Sequence, residues 1–287
     1  MPLSQVQPDH YLELLTAKAS AVKALFAGLD VPPADIFRSA PTGFRMRAEF
    51  RVWHDGDALD YVMFRPEDRR TPVPITDFPI ACDSIRKLMP DLIAAIRGNA
   101  ILRRKLFQVE FLATLSGDTL VTLVYHRRLD RNWEQAALAL QNALATVSPD
   151  LSIIGRSRKQ KLVLGRDYVT ETLTIDGRDY RYNQYEQAFT QPNARVNIRM
   201  IEWACERARE LGGDLLELYC GNGNFTLPLA RHFDQVIATE LAKTSIHAAR
   251  ENLAANGINN VQMIRLSAEE VSQAINRERT FRRLADL

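Results

Sequence analysis

Glu217, Gly221 and Gly223 make an acidic-x-x-x-G-x-G pattern inside LLELYCGNGNF, Leu215–Phe225, where an apolar run breaks ahead of a helical segment. Two glycines two positions apart let a backbone turn sharply and approach a ligand where a Cβ would stand in the way. That suits a phosphate-bearing or adenosine-bearing ligand. A dinucleotide fingerprint wants a third glycine at the sixth position of G-x-G-x-x-G, and Thr226 stands there, so a pyrophosphate site is disfavoured. Glu240 ends the next apolar run, QVIATE, where a carboxylate can accept hydrogen bonds from both hydroxyls of a ribose. Its plainer role is that of an acid at the N-terminus of the following helix. The segment LSAEE, Leu266–Glu270, falls where an adenine ring would be met, although Glu269 equally suits the first turn of a helix.

Other reactive groups are sparse. Cys82, Cys205 and Cys220 are too few and too scattered for a disulfide framework, and no pair has C-x-x-C spacing, so neither a metal nor an iron–sulfur cluster is expected. Cys220, nearest the glycine loop, has no His or Lys beside it to depress its pKa and reads as a small packed residue. The formal net charge of +2 conceals a concentration of basic clusters: FRMRAEFR (Phe44–Arg51), RRK (Arg103–Lys105), HRR (His126–Arg128) and GRSRKQK (Gly155–Lys161). One such cluster is ordinarily a solvated face; four in one region weigh towards a polyanion.

The elements that must position these groups fall into two kinds. Apolar residues at helical spacing run from 11 to 29 and stop at VPP. FRMRAEFRVW then alternates, with Phe44, Met46, Ala48, Phe50 and Val52 on one strand face and Arg45, Arg47, Glu49, Arg51 and Trp53 on the other. A turn at His54–Asp57, a returning strand DYVMFR, a helix near Ser84–Arg97, a hairpin KLFQVEFLATL/VTLVYHRR, a helix near Asn132–Thr146, a strand LSIIGR and a hairpin turning at Asp176–Gly177 follow. This order predicts an α+β domain over residues 1–185. From 186 to 287 strands alternate with helices, which predicts an α/β domain with a parallel, doubly wound sheet. With 46% hydrophobic and 25% charged residues over 287 positions, two domains are expected. No apolar run approaches the ~18 to 20 residues of a membrane span, and MPLSQVQPDHYLELL is unlike a secretory signal, so a cytoplasmic protein with no membrane association is expected.

The loop closely resembles the first motif of Rossmann-like S-adenosylmethionine-dependent methyltransferases. Together with QAFTQPN, Gln187–Asn193, it is similar to the RNA uracil-5-methyltransferases, while FRMRAEFRVWHDGD and KLFQVEFLATLS resemble their tRNA-specific branch, across essentially all 287 residues. The resemblance implies formation of 5-methyluridine in the T-loop of tRNA, and of the tRNA-like part of tmRNA, with S-adenosyl-L-methionine as cofactor. It further implies an RNA-binding first domain and a Rossmann-like methyltransferase second domain, a monomer when full-length, and no iron–sulfur cluster. Gln191, Tyr219, Gly221, Gly223, Asn224 and Glu240 are implied to contact the cofactor. Arg47, Arg51, Phe107 and His126 are the candidates for holding the T-arm, the arginines on phosphates and the aromatic groups replacing lost base stacking. By itself Phe107 on a strand reads as core, Tyr219 as a core aromatic at a strand end and Gln191 as a helix-capping residue.

The chemistry implied by the resemblance needs a cysteine thiolate to add to C6 of uracil and a carboxylate to remove the C5 proton after methylation. In the family these come from an Asp-Pro-Pro-Arg strand end, a Ser-Cys-Asn-Pro strand end and a later glutamate. Neither of those two strings occurs here, where the sequence ends FRRLADL. The expectation is therefore an incomplete methyltransferase domain, a fragment without turnover of its own, with the first strand left at a sheet edge. The alternative function is a non-catalytic protein that grips or folds the tRNA T-arm.

Overall fold

The computed structural model describes residues 7–278; FRRLADL and the first six residues of MPLSQVQPDHYLELL lie outside them. Two compact units emerge. The first holds the described residues up to Ala113, with Gly117–Asp167 and Pro192–Val196; the second holds Thr114–Ser116, Tyr168–Gln191 and the residues from Asn197 on.

In the first unit, α1 (Tyr11–Leu25) ends short of VPP and buries none of its residues, so its apolar periodicity makes a helix without making core. Strands β1 (Arg47–Asp55), β2 (Ala58–Met63) and β3 (Val73–Pro74) precede α2 (Asp83–Arg97) and α3 (Ala100–Arg103). Then come β4 (Leu106–Ala113), β5 (Thr119–Tyr125), α4 (Arg131–Ala143), β6 (Leu151–Ser157) and β7 (Gln160–Leu164). They form one sheet of order β3-β2-β1-β4-β5-β6-β7, antiparallel except for β5–β6, which α4 connects in parallel. The alternation in β1 is as expected: Ala48, Phe50 and Val52 are buried while Glu49, Arg51 and Trp53 are exposed. Phe50 packs edge-on against Phe78 and Phe111 and tilted against Tyr61, whose hydroxyl donates to the Met89 carbonyl from within the core.

Trp133 of α4, fully buried, lies against Gly155 of β6, where a Cβ would fall 2.3 Å from its ring. Gly155→Ala is therefore expected to destabilise this unit by roughly 1 to 3 kcal/mol through overpacking, read as a lowered thermal midpoint. A midpoint equal to wild type would show that the Trp133 ring shifts freely.

The second unit opens with the hairpin β8 (Tyr168–Ile175) and β9 (Arg178–Tyr185) around Asp176–Gly177. Glu171, buried in β8, accepts from the Leu115 N–H through both carboxylate oxygens, at 3.1 and 3.0 Å. Helix α5 (Ala194–Ala208) starts on an Asn193 cap, whose Oδ1 accepts from the Val196 N–H. Then alternate β10 (Leu215–Leu218), α6 (Thr226–Leu229), β11 (Val236–Thr239), α7 (Lys243–Ala255), β12 (Val261–Ile264) and α8 (Ala268–Ile275). The three strands pair in parallel in the order β10-β11-β12. Among the described residues β10 is an edge strand, with Leu216 and Leu218 exposed. It stops two residues before the expected Cys220, because Tyr219 takes a left-handed backbone with φ 57°.

Candidate cofactor loop and nucleic-acid face

The glycine loop is fixed from three sides. Gly221 has φ 59° and Gly223 φ 87°. A Cβ at Gly223 would fall 2.5 Å from Leu227 Cδ1, whereas one at Gly221 meets nothing within 4 Å. Gly221 thus borders open space, and Gly223 allows close packing of loop on helix. The Cys220 N–H donates to Thr239 O at 3.0 Å and ties the loop to β11. From α7, Asn252 Nδ2 donates to Asn222 O at 3.0 Å, and Asn252 Oδ1 accepts from the Asn183 N–H of β9 at 2.7 Å. Asn224 forms a reciprocal amide pair with Asn197 at 2.8 Å, and its carbonyl accepts from the Tyr182 hydroxyl at 3.2 Å.

Glu240 meets the same loop. Its Oε2 accepts from the Gly221 N–H at 3.2 Å, while Oε1 accepts from the Leu241 and Ala242 N–H groups at 2.7 Å each, ahead of α7. The role of an acid ahead of a helix is thus seen directly, and the bond to Gly221 adds a loop contact that the sequence did not suggest. Gly221, Gly223, Asn224 and Glu240 are brought into one network. Tyr219 is not core: it is 72% exposed beside the loop. Gln191 is half-buried, and the helix cap it was read as belongs to Asn193. Glu269 is an exposed acid in the first turn of α8, whose capping box joins Ser267 and Glu270. Asn252 escaped the sequence reading; its one signal was an amide, poor in helix interiors, on the buried side of ENLAANG.

Glu217 lies under the loop, its Oε2 accepting from the Thr226 hydroxyl at 2.6 Å. Burial lifts its pKa to about 7, against the opposing effect of the Thr226 bond. The folded state then holds a proton that the unfolded chain releases near its ordinary 4.5. Stability from this group is complete below that value and is lost as pH rises towards 7, by on the order of 2 kcal/mol. Thermal midpoints between those pH values should fall more steeply for wild type than for Glu217→Gln, and parallel curves would show that Glu217 ionises without cost.

The three thiols are all buried and free. Desolvation raises each pKa, that of Cys220 to about 12, with Glu217 and Glu240 adding to the effect. None is poised as a nucleophile at neutral pH.

In the first unit, the exposed face of the sheet carries a built stack. Arg51 of β1 places its guanidinium 3.8 Å from the Phe107 ring centre, and the His126 ring lies 3.9 Å from Phe107 at 27°. Phe107 is not core, because the β4–β5 register shifts between Leu106 and Gln108 and turns it outward. His54 Nε2 donates to the Leu106 carbonyl at that irregularity, at 2.8 Å, a role its place in a turn did not suggest. Beside the stack opens a cavity of about 860 Å³ lined by Arg51, Phe107, Trp53, Phe64, Arg65 and Arg69 among others. Arg47, earlier on the same strand face, is half-buried and outside that cavity.

The family model described as tRNA (uracil-5-)-methyltransferase matches residues 10–287. The chain belongs to this family. It is 51% identical over 287 residues to the tRNA/tmRNA (uracil-C(5))-methyltransferase of Aromatoleum aromaticum, covering all of this chain and 77% of that protein. It is 52% identical over 281 residues to the protein of the same name from Neisseria meningitidis serogroup B, covering 97% and 76%. Among solved structures, the Pyrococcus abyssi tRNA (uracil-54, C5)-methyltransferase in complex with S-adenosyl-L-homocysteine aligns with a TM-score of 0.65 at 20% identity, over 90% of this chain and 63% of that one. That likeness shows that this member of the tRNA (uracil-5-)-methyltransferase family has a methyltransferase fold, as the resemblance implied. Among its described residues, no helix is long and apolar enough to cross a membrane.

Proposed function

We propose that this chain serves S-adenosylmethionine-dependent methylation of uridine C5 in the T-loop of tRNA and tmRNA, forming 5-methyluridine. The observation that carries the reading is the Arg51–Phe107–His126 stack, an aromatic platform under a fixed cation on an exposed face, in a family whose relatives are named for tRNA and tmRNA. The outer face of the His126 ring, backed by Phe107, receives a base that has left its own stack, while guanidinium groups meet phosphates. Arg47, Arg51, Phe107 and His126 hold the T-arm. Gln191, Tyr219, Gly221, Gly223, Asn224 and Glu240 receive S-adenosylmethionine, with Glu240 exchanging backbone partners for the ribose hydroxyls. Residues 1–185 act as the RNA-binding part and 186–287 as the cofactor-binding part. The setting we infer is the cytoplasm, with no metal and with a monomer as the full-length form.

The reaction requires a thiolate at C6 of the uracil, and the three cysteines here are buried with raised pKa values. The 287-residue polypeptide therefore recognises RNA and cofactor without turning over by itself. The same thiols favour a second reading, a non-catalytic T-arm binding or folding protein, which has no use for the cofactor. Thermal unfolding separates the two: S-adenosyl-L-homocysteine should raise the midpoint by the linkage RT ln(1 + [L]/Kd) and NADH should not. No shift with S-adenosyl-L-homocysteine favours the second reading, and a shift with NADH alone would make the glycine loop a dinucleotide site.

A further inference from the structure

Two basic clusters far apart in sequence, His126–Arg128 and Arg158–Lys159, line one cavity of about 670 Å³ in the first unit. Their meeting is built. Gln160 accepts from the Leu129 N–H at 2.9 Å and donates to the Leu129 carbonyl at 2.8 Å, and Ser157 Oγ donates to the same Gln160 oxygen at 3.0 Å. The β6–β7 turn is thereby held beside the segment that follows β5. Arg127 is fixed in turn by the carbonyls of Arg104, Arg128 and Ile101, at 3.0, 3.1 and 2.7 Å, which orient its charge without neutralising it. Among the described residues no ion pair engages Arg127, Arg128, Arg158 or Lys159. The neighbouring Asp130 directs its Oδ1 to the Trp133 N–H as the cap of α4.

We infer that this cavity is a phosphate site for the RNA strand that adjoins the stacked base, a second electrostatic contact distinct from the Arg51–Phe107 side. Continuity identifies the occupant: His126 belongs both to the stack and to the cavity wall, so a strand with a base stacked on the outer face of the His126 ring brings its neighbouring phosphodiesters to Arg128 and Arg158. Four cations without carboxylate partners in a pocket bordered by an aromatic ring suit a nucleic-acid backbone. The inference rests on the tRNA reading above.

The test is the affinity of the chain for a labelled T-arm hairpin between about 50 and 200 mM salt, with Arg128→Ala/Arg158→Ala and Arg128→Lys/Arg158→Lys. Both side chains are exposed, so the thermal midpoint should hold. Losing two phosphate contacts lowers the slope of log K against log salt by about 1.4 to 1.8, at 0.7 to 0.9 per phosphate. The loss should be similar for hairpins of different loop sequence, and the lysine variant should recover the slope. An unchanged slope with the alanine pair, while Phe107→Ala still weakens binding, overturns the phosphate site and leaves the tRNA reading standing. Absence of RNA binding by wild type overturns both.

Discussion

Phe107→Ala is expected to weaken binding of a T-arm hairpin by about 5- to 150-fold, the equivalent of 1 to 3 kcal/mol for one base–aromatic stack. The ring lies between the Arg51 guanidinium and the His126 imidazole, so its removal takes away the support of the His126 face on which the base stacks and leaves both neighbours without their partner. Its position outside the core limits the cost to the fold, and the thermal midpoint should fall little. Phe107→Leu keeps bulk without a π-face and should lose most of the same affinity. Arg51→Ala differs in kind: affinity falls and the salt slope falls by about 0.7 to 0.9, whereas Phe107→Ala leaves the slope nearly unchanged. Because these groups touch, the double variant should lose less than the sum. Equal affinities for Phe107→Ala and wild type would remove the stack from RNA recognition.

The second large effect belongs to the cofactor loop, where the two glycines should fail differently. Gly223→Ala sets a Cβ 2.5 Å from Leu227 Cδ1 on a backbone with φ 87°. Left-handed strain of about 1 to 2 kcal/mol adds to the collision, so both the thermal midpoint and the stabilisation by S-adenosyl-L-homocysteine should fall. Gly221→Ala meets open space, and only its φ of 59° is strained. It should keep most of the midpoint and still lose ligand stabilisation, because the new methyl group points where the ligand must come. Hairpin binding through the first unit should survive both. Undiminished ligand stabilisation in Gly221→Ala would mean that the open space beside it is not the cofactor's.

What was legible in the sequence was whatever a local period or a single steric fact determines. The alternation in β1 set Arg51 outside and Phe50 inside, and the spacing Glu217, Gly221, Gly223 marked a strand–loop–helix turn. Both follow from the side-chain period of a strand and the absent Cβ of glycine. What was not legible depends on distant pairing. Phe107 faces outward because β4 shifts register against β5, which no local pattern records. Strand β7 begins inside GRSRKQK, where charge obscured the hairpin that Gln160 secures through Leu129. Tyr219 looked like the end of a strand and instead takes the left-handed turn. Asn252 and the raised pKa of Glu217 express burial that only the assembled α7 and loop create.

The most direct test of the central claim is one incubation of the purified 287-residue chain with S-adenosylmethionine carrying a labelled methyl group and a T-arm hairpin, in parallel with Cys220→Ser. Retained hairpin and bound label are measured before denaturation, and 5-methyluridine after it. The expected result is RNA and cofactor both bound, with no 5-methyluridine from either protein. The contradicting results are 5-methyluridine formed in proportion to protein and lost in Cys220→Ser, which would make a buried thiol the nucleophile, or a chain that retains neither ligand.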